Sequence, residues 1–378
     1  VIQGGDTGIA DFTLIPSRLA APTQETTYFV SGQFAYTDPD TGSDVIIPLR
    51  EESITVRPQA ELELDYFLQR NVFSDDPFTD DVVEPSHPFQ LGLMVNNVGA
   101  GDANNLSITS AQPKIIENEK GLLIDFEIIG STVNGSDISP TLKVDFGDVA
   151  GGDIEVATWE MQSSLQGKFV DYQVSFEHIN SLGIPELSLI TETRIHELIQ
   201  TIQVDTPGDD GLPDFLVNDD WETDPFGIPD TIYSTDGTIL AVEQATGEGT
   251  LSLAAGPAIG IIEAIITADM KAGWSYAALS DPFNGDYRIR SVTRDSDGKE
   301  LLLANVWQTD RTFAASGPPV YEDILHFVDH NAVEGVQTYT VVFEPTNLAP
   351  TAVDDAVVMD EDTSLAISVL ANDTDPEG

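Results

Sequence analysis

No cysteine occurs among the 378 residues. No disulfide can brace the fold, and no thiolate can act as nucleophile or metal ligand. Basic residues are almost as scarce: 15 Lys and Arg stand against 65 Asp and Glu, a formal net charge of −50 at pH 7. None lies between Arg194 and Lys271, and none follows Arg311. Nucleic acid and anionic lipid are held by clustered Lys and Arg, so neither is an expected partner. Gly-rich phosphate loops and a G-x-S-x-G elbow are missing too, which removes the visible parts of nucleotide-dependent and serine-nucleophile enzymes. No apolar run reaches the roughly 20 residues of a membrane helix. The nearest, Ala254 to Ala268, carries Glu263, and no membrane insertion is expected.

What remains has a clear period. Glu61-Leu62-Glu63-Leu64-Asp65-Tyr66 alternates carboxylate and apolar side chains, as do Leu142 to Phe146 and Val170 to Phe176. Such alternation is the mark of a half-buried strand. Turn residues punctuate the runs at Asp38 to Gly42, Val133-Asn134-Gly135, Phe283 to Asp286 and Asp295 to Gly298; the last predicts a hairpin. An apolar content of 41% together with this patterning argues against a disordered polyanion. The expected fold class is all-β: tandem immunoglobulin-like β-sandwich modules with acidic connectors. The boundaries fall at residues 1–58 (a small or partial sandwich), 59–204, an acidic connector at 205–230, a β-rich module at 231–345, and a truncated module at 346–378. The chain opens without Met and stops within a module, so it reads as a fragment of a longer protein.

One segment invites an enzymatic reading. His196-Glu197-Leu198-Ile199-Gln200 is one residue short of the H-E-x-x-H zinc motif. That motif needs a helix, whereas in a strand positions i and i+4 lie about 13 Å apart. The β-branched surroundings predict a strand, and Gln is a poor zinc ligand, so the segment reads as a polar edge of the last strand of residues 59–204. His326 and His330 read likewise as a solvated strand face, and Trp274 and Trp307 as core in preference to sugar-binding residues. The chain is expected to be non-catalytic, with a zinc protease the weakest alternative.

Carboxylates gather with turn residues at three places. Asp75 to Asp81 with Glu84 reads as a solvated acidic loop. The connector is denser, and its Asp205, Asp209, Asp214 and Asp219 have no basic residue near them in sequence. Ca2+ takes six to eight oxygens in irregular geometry, so the connector reads either as a calcium loop or as a solvated one. Asp209-Asp210-Gly211-Leu212-Pro213-Asp214 resembles the D-G-x-x-D loops of thrombospondin-type and dockerin-type calcium repeats.

The third cluster carries the most motif positions: Asn347-Leu-Ala-Pro350, Asp354-Asp355, Asp360-Glu361-Asp362-Thr363 and Val369-Leu370-Ala-Asn372-Asp373-Thr-Asp375. It resembles the first half of the bacterial cadherin-like, VCBS-type tandem repeat. That resemblance implies calcium at a module junction, with Asp355, Glu361, Asp373 and Asp375 as ligands. Residues 59–204 resemble the bacterial cell-adhesion-related domain through Val95-x-Asn97-x-Gly99-x-Gly101-x-Ala103 and Gly147-Asp148. There the resemblance implies an Ig-like sandwich with the Asn/Gly motif on an early hairpin. Together these imply an adhesive, structural region of a large secreted or cell-surface bacterial protein, stiffened by calcium, with neighbouring modules and a surface or matrix ligand as partners. The other expectation is accessory modules of a secreted enzyme whose catalytic domain lies elsewhere.

Overall fold

The computed structural model of the chain describes residues 7–75, 86–108, 124–168, 188–220, 227–254, 260–283, 285–313 and 320–346, with Val353 and Ser364. Among them there is no α-helix; two short 3-10 turns, Arg18–Ala20 and Leu303–Asn305, accompany the strands. No helix among the described residues is long and apolar enough to cross a membrane. The alternation therefore translates into an almost wholly β structure.

Residues 1–58 hold a ribbon. β1 (Thr26–Val30), β2 (Gln33–Thr37), β3 (Asp44–Pro48) and β4 (Glu52–Val56) nest, β1 on β4 and β2 on β3. The tip is the expected turn, where Gly42 has φ 68° and donates to the Asp38 carbonyl. Apolar side chains on this ribbon are left in solvent, Phe29 and Ile46 among them.

Residues 59–204 supply β5 (Leu62–Leu68), β6 (Asn71–Val72), β7 (Phe89–Asn97), β8 (Ala103–Ile108), β9 (Phe126–Val133), β10 (Ser136–Ile138), β11 (Val144–Val149), β12 (Ile154–Ser163), β13 (Gly167–Lys168) and β14 (Ile190–Ile202). The connector contributes a strand of its own, β15 (Asp214–Asn218). The remainder forms β16 (Thr231–Tyr233), β17 (Ile239–Gln244), β18 (Thr250–Leu253), β19 (Ile262–Met270), β20 (Gly273–Ser280), β21 (Tyr287–Arg294), β22 (Lys299–Leu301), β23 (Val306–Phe313), β24 (Val320–Asn331) and β25 (Gly335–Pro345). The predicted hairpin at Asp295 to Gly298 joins β21 to β22. Asn134 and Gly135 make the β9–β10 turn with φ 49° and 68°, the positive angles a two-residue hairpin requires.

One mixed sheet of 12 strands runs across all of these segments, in the order β10-β9-β12-β7-β5-β14-β15-β16-β17-β20-β24-β23. Its parallel pairs are β5 with β14 and β17 with β20. At one end, Leu64, Tyr66, Leu93, Val95 and Trp159 pack against Val144, Phe146 and Val149 of the small β8–β11 sheet. At the other, Leu279, Leu325 and Phe327 pack against Ile266, Tyr339, Val341 and Phe343 of a five-stranded sheet, β18-β19-β25-β21-β22. Each end is thus two layers of sheet closing on one apolar core.

The Asn/Gly motif is not on a hairpin. β7 and β8 belong to different sheets, and the motif makes the corner between them. Asn97 is fully buried; its Nδ2 donates to the Gly101, Val149 and Ala150 carbonyls, and its Oδ1 accepts from the Glu61 and Gly99 amides. A Cβ on Gly101 would stand 2.2 Å from the Pro58 carbonyl oxygen, so only glycine lets the two backbones approach.

The centre of the long sheet is β15, all five residues of which are buried. Phe215 and Val217 join a core with Phe67, Met94, Val156 and Leu198. Leu216, on the other face, joins one with Ile202, Ile232, Val242 and Trp274. Phe215 stacks on Phe67 with ring centroids 4.0 Å apart and planes 5° from parallel. A Cβ on Gly92 would fall 2.2 Å from the Phe215 ring, so the glycine makes room for the stack. Phe215→Ala is expected to cost about 3–5 kcal/mol. It should lower a single denaturant midpoint for the whole sheet; two separable transitions in the wild-type protein would show that β15 does not couple the ends.

Candidate functional site

Four of the eight carboxylates singled out as metal ligands lie within the described residues. Asp355, Glu361, Asp373 and Asp375 lie outside them. Asp205 meets a cation of the protein itself: Lys299 Nζ donates to it at 2.8 Å and stands 3.7 Å from Asp329. Asp209 closes an Asx turn, accepting from the Gly211 amide at 3.0 Å. Its neighbour Asp210 accepts from the Leu212 amide at 2.9 Å and from the Thr235 hydroxyl at 3.0 Å.

Asp214 is fully buried at the start of β15. It accepts from the Val204 amide at 2.6 Å and the Thr235 amide at 2.9 Å. Burial pushes its carboxyl above the usual range against those two bonds, and the charge of Asp209 adds to the rise. Asp219 follows the other end of β15, about 16 Å along the strand from Asp214 at roughly 3.3 Å per residue. The four residues are therefore not one site. Asp209, Asp210 and Asp214 gather near Thr235, Asp205 joins Lys299, and Asp219 turns to a histidine. Among the described residues no group of three or more His, Asp or Glu side chains is placed to hold a metal ion.

That histidine is His196. The segment is a strand, as its β-branched residues predict, so His196 and Gln200 cannot share an ion. It is not an edge, however. β5 pairs along one side of β14 and β15 along the other, because the connector strand covers the position where an edge was expected. His196 is 6% exposed and held between two carboxylates. Its Nδ1 is 2.7 Å from Asp219 Oδ1 and its Nε2 is 3.0 Å from Asp65 Oδ1. Tyr233 donates its hydroxyl to Asp219 at 2.8 Å, and the His196 ring lies 4.3 Å from that of Tyr233 and 5.2 Å from that of Phe67. Arg194 completes the network, donating to Asp65 at 2.7 and 3.2 Å and to Glu63 at 2.7 Å.

The network ties β5, β14, the end of β15 and β16 together through charge. Burial disfavours ionised Asp65, but hydrogen bonds from His196 and Arg194 outweigh it and lower its pKa. Burial likewise opposes the His196 cation, yet Asp219 and Asp65 raise its pKa above 6.5. Asp219 is lowered against burial by His196 and Tyr233. The assembly is a brace: both nitrogens of the imidazole and all four carboxylate oxygens of Asp65 and Asp219 are engaged.

Comparison with protein-family models, curated proteins and solved structures finds no match for this chain.

Elsewhere the histidine readings change. His326, read as solvated, is buried between Tyr276 and Thr309, at 2.7 and 2.8 Å from their hydroxyls. The even side of β24 faces inward there because the long sheet curls over it. Trp274 is core, as its apolar neighbours indicate.

The brace has a signed pH dependence. The contribution of His196 is full below the unfolded value of 6.5 and is lost as pH rises through its higher folded value. Those of Asp65 and Asp219 are full above 3.8 and are lost as pH falls through their lower folded values. Thermal unfolding across roughly pH 5 to 9 should show stability falling above neutrality by at most about 1.4 kcal/mol per pH unit from this group. His196→Gln should flatten that limb. An unchanged limb in the variant would assign it to other groups.

Proposed function

We propose that the chain is a non-catalytic, load-bearing region of a large secreted or cell-surface bacterial protein, built from Ig-like sandwich modules and stiffened by calcium. The observation that carries this reading is β15, which belongs to the connector by composition and to the sheet by structure. A connector buried on both faces and hydrogen-bonded on both edges transmits tension through peptide hydrogen bonds instead of a free linker. The two-layer packing at each end of the long sheet supports the sandwich assignment. The adhesive assignment rests on the resemblance of residues 59–204 and 347–375.

Calcium enters through the donor set. Asp209, Asp210 and Asp214 offer the hard oxygens this ion takes, and Asp209 Oδ1 is buried with no hydrogen-bond partner among the described residues. As placed, the three do not form a metal-holding group, so binding would draw them together, with backbone carbonyls and water supplying the rest of the shell. With a net charge of −50, a divalent ion would relieve repulsion between neighbouring carboxylates and couple binding to folding. Extracellular calcium modules bind at about 10⁻⁴ to 10⁻³ M.

Thermal unfolding in chelator, in calcium at about ten times the weakest of those constants and in equal magnesium tests the reading. One site at tenfold saturation adds about 1.4 kcal/mol. A calcium-specific rise that Asp209→Asn with Asp210→Asn reduces is the expected result. Equal responses to both ions, or none, would remove calcium from the reading.

A further inference from the structure

The long sheet curls between β14 and β23 until the residues flanking these two strands meet. Asn305, just ahead of β23, accepts from the Gln203 amide and donates to the Gln203 carbonyl, both at 2.9 Å, just past the end of β14. The Asp205–Lys299 ion pair reinforces this closure. Inside the curl, Ile202, Leu216, Ile232, Val242 and Trp274 fill most of the space. Toward one mouth the filling thins and leaves a cleft of about 230 Å³ lined by Gln69, Asn71, Gln244, Tyr276, Trp307 and His326. A second hollow of about 450 Å³ shares Gln244, Ala278 and Ile324 with it and extends along β17 and β20.

Its lining has a definite chemistry. Trp307 is only half-buried, and its indole is stacked on the His326 ring at 5.0 Å with planes 5° from parallel. Both His326 nitrogens are taken by Tyr276 and Thr309, so the aromatic plane is fixed in advance. The amides of Asn71 and Gln244 have no hydrogen-bond partner among the described residues, and each offers donors and an acceptor. The charged groups in the wall, Arg70 and Glu197, are paired at 3.7 Å with side chains 10% and 6% exposed. A preformed cavity with a rigid aromatic plate and a few convergent polar groups is the usual form of a small-molecule site.

We propose that this cleft binds a neutral saccharide, one sugar ring resting its C–H face on Trp307 while Asn71 and Gln244 bond its hydroxyls. An anionic ligand would meet a strongly acidic protein and an arginine already matched by Glu197. A cation would meet no unpaired carboxylate in the cleft itself; Glu248 borders only the adjoining hollow. A polyol with an apolar face uses both the plate and the amides, and the adjoining hollow along β17 extends the site to a second sugar unit. The assignment is independent of the calcium-braced stalk: it needs no metal and can be tested in chelator.

The test is isothermal titration of the full chain, in chelator, with cello-, chito-, xylo-, manno- and galacto-oligosaccharides, and with a polyuronate as the charged control. At least one neutral series should bind, and Trp307→Ala should weaken it tenfold or more. Because Trp307 contributes to packing, Gln244→Ala carries the test separately: its side chain is exposed, so the melting temperature should hold while affinity drops severalfold. No binding by any neutral series, binding by the polyuronate alone, or affinity unchanged in Gln244→Ala and in folded Trp307→Ala would overturn the proposal.

Discussion

The rest of the structure depends on a five-residue strand whose two faces belong to two different cores. Phe215 and Val217 point toward the amino-terminal core and Leu216 toward the carboxy-terminal one. Its backbone pairs with β14 on one edge and β16 on the other. Each full burial of such a side chain is worth about 1.5–3 kcal/mol, and each is counted on a different side of the junction. Neither end keeps its inner sheet edge satisfied without the strand.

Charge is organised around the same line. Of the few cations, two arginines stand where aspartate carboxylates are buried. Arg194 serves Asp65, which is 4% exposed, and Arg294 donates to Asp329 at 2.8 Å, where the carboxylate is 1% exposed. Breaking a buried pair leaves an uncompensated charge at a cost of about 3–5 kcal/mol. The many carboxylates left in solvent carry no such obligation. Burial is therefore selective: a carboxylate goes inside only with an arginine, a histidine, a lysine or backbone amides to receive it.

Much of this was legible in the sequence, and the exceptions share a cause. The β class, the Asn134–Gly135 and Asp295–Gly298 turns and the strand at HELIQ all follow from local pattern. β15 was hidden because three apolar residues sit inside a run of Asp, Pro and Gly, and composition outweighed them. The Asn97 motif was visible as spacing, but its work, holding five backbone groups at a corner, appears only when Pro58 and Val149 are brought beside it. The candidate brace was least legible. His196 could be read only against its neighbours in sequence, while its partners Asp65 and Asp219 lie on other elements. The exposed face expected for His326 failed because the sheet curls, and curvature leaves no period in a sequence.

The parallel pair of β5 and β14 also sets an order of events. Arg194 and Asp65 are separated by 129 residues, and no local hairpin can bring them together. A ribosome adding roughly 5–20 residues per second needs on the order of ten seconds to cover that interval. Until β14 is made, Leu62–Leu68 has its β7 partner but not the strand that covers its other edge. Pairing of this range is slow and open to aggregation. Like charges on Glu61, Glu63 and Asp65, alternating with its leucines, disfavour pairing between copies of this strand, and in the folded chain Arg194 of β14 neutralises Glu63 and Asp65.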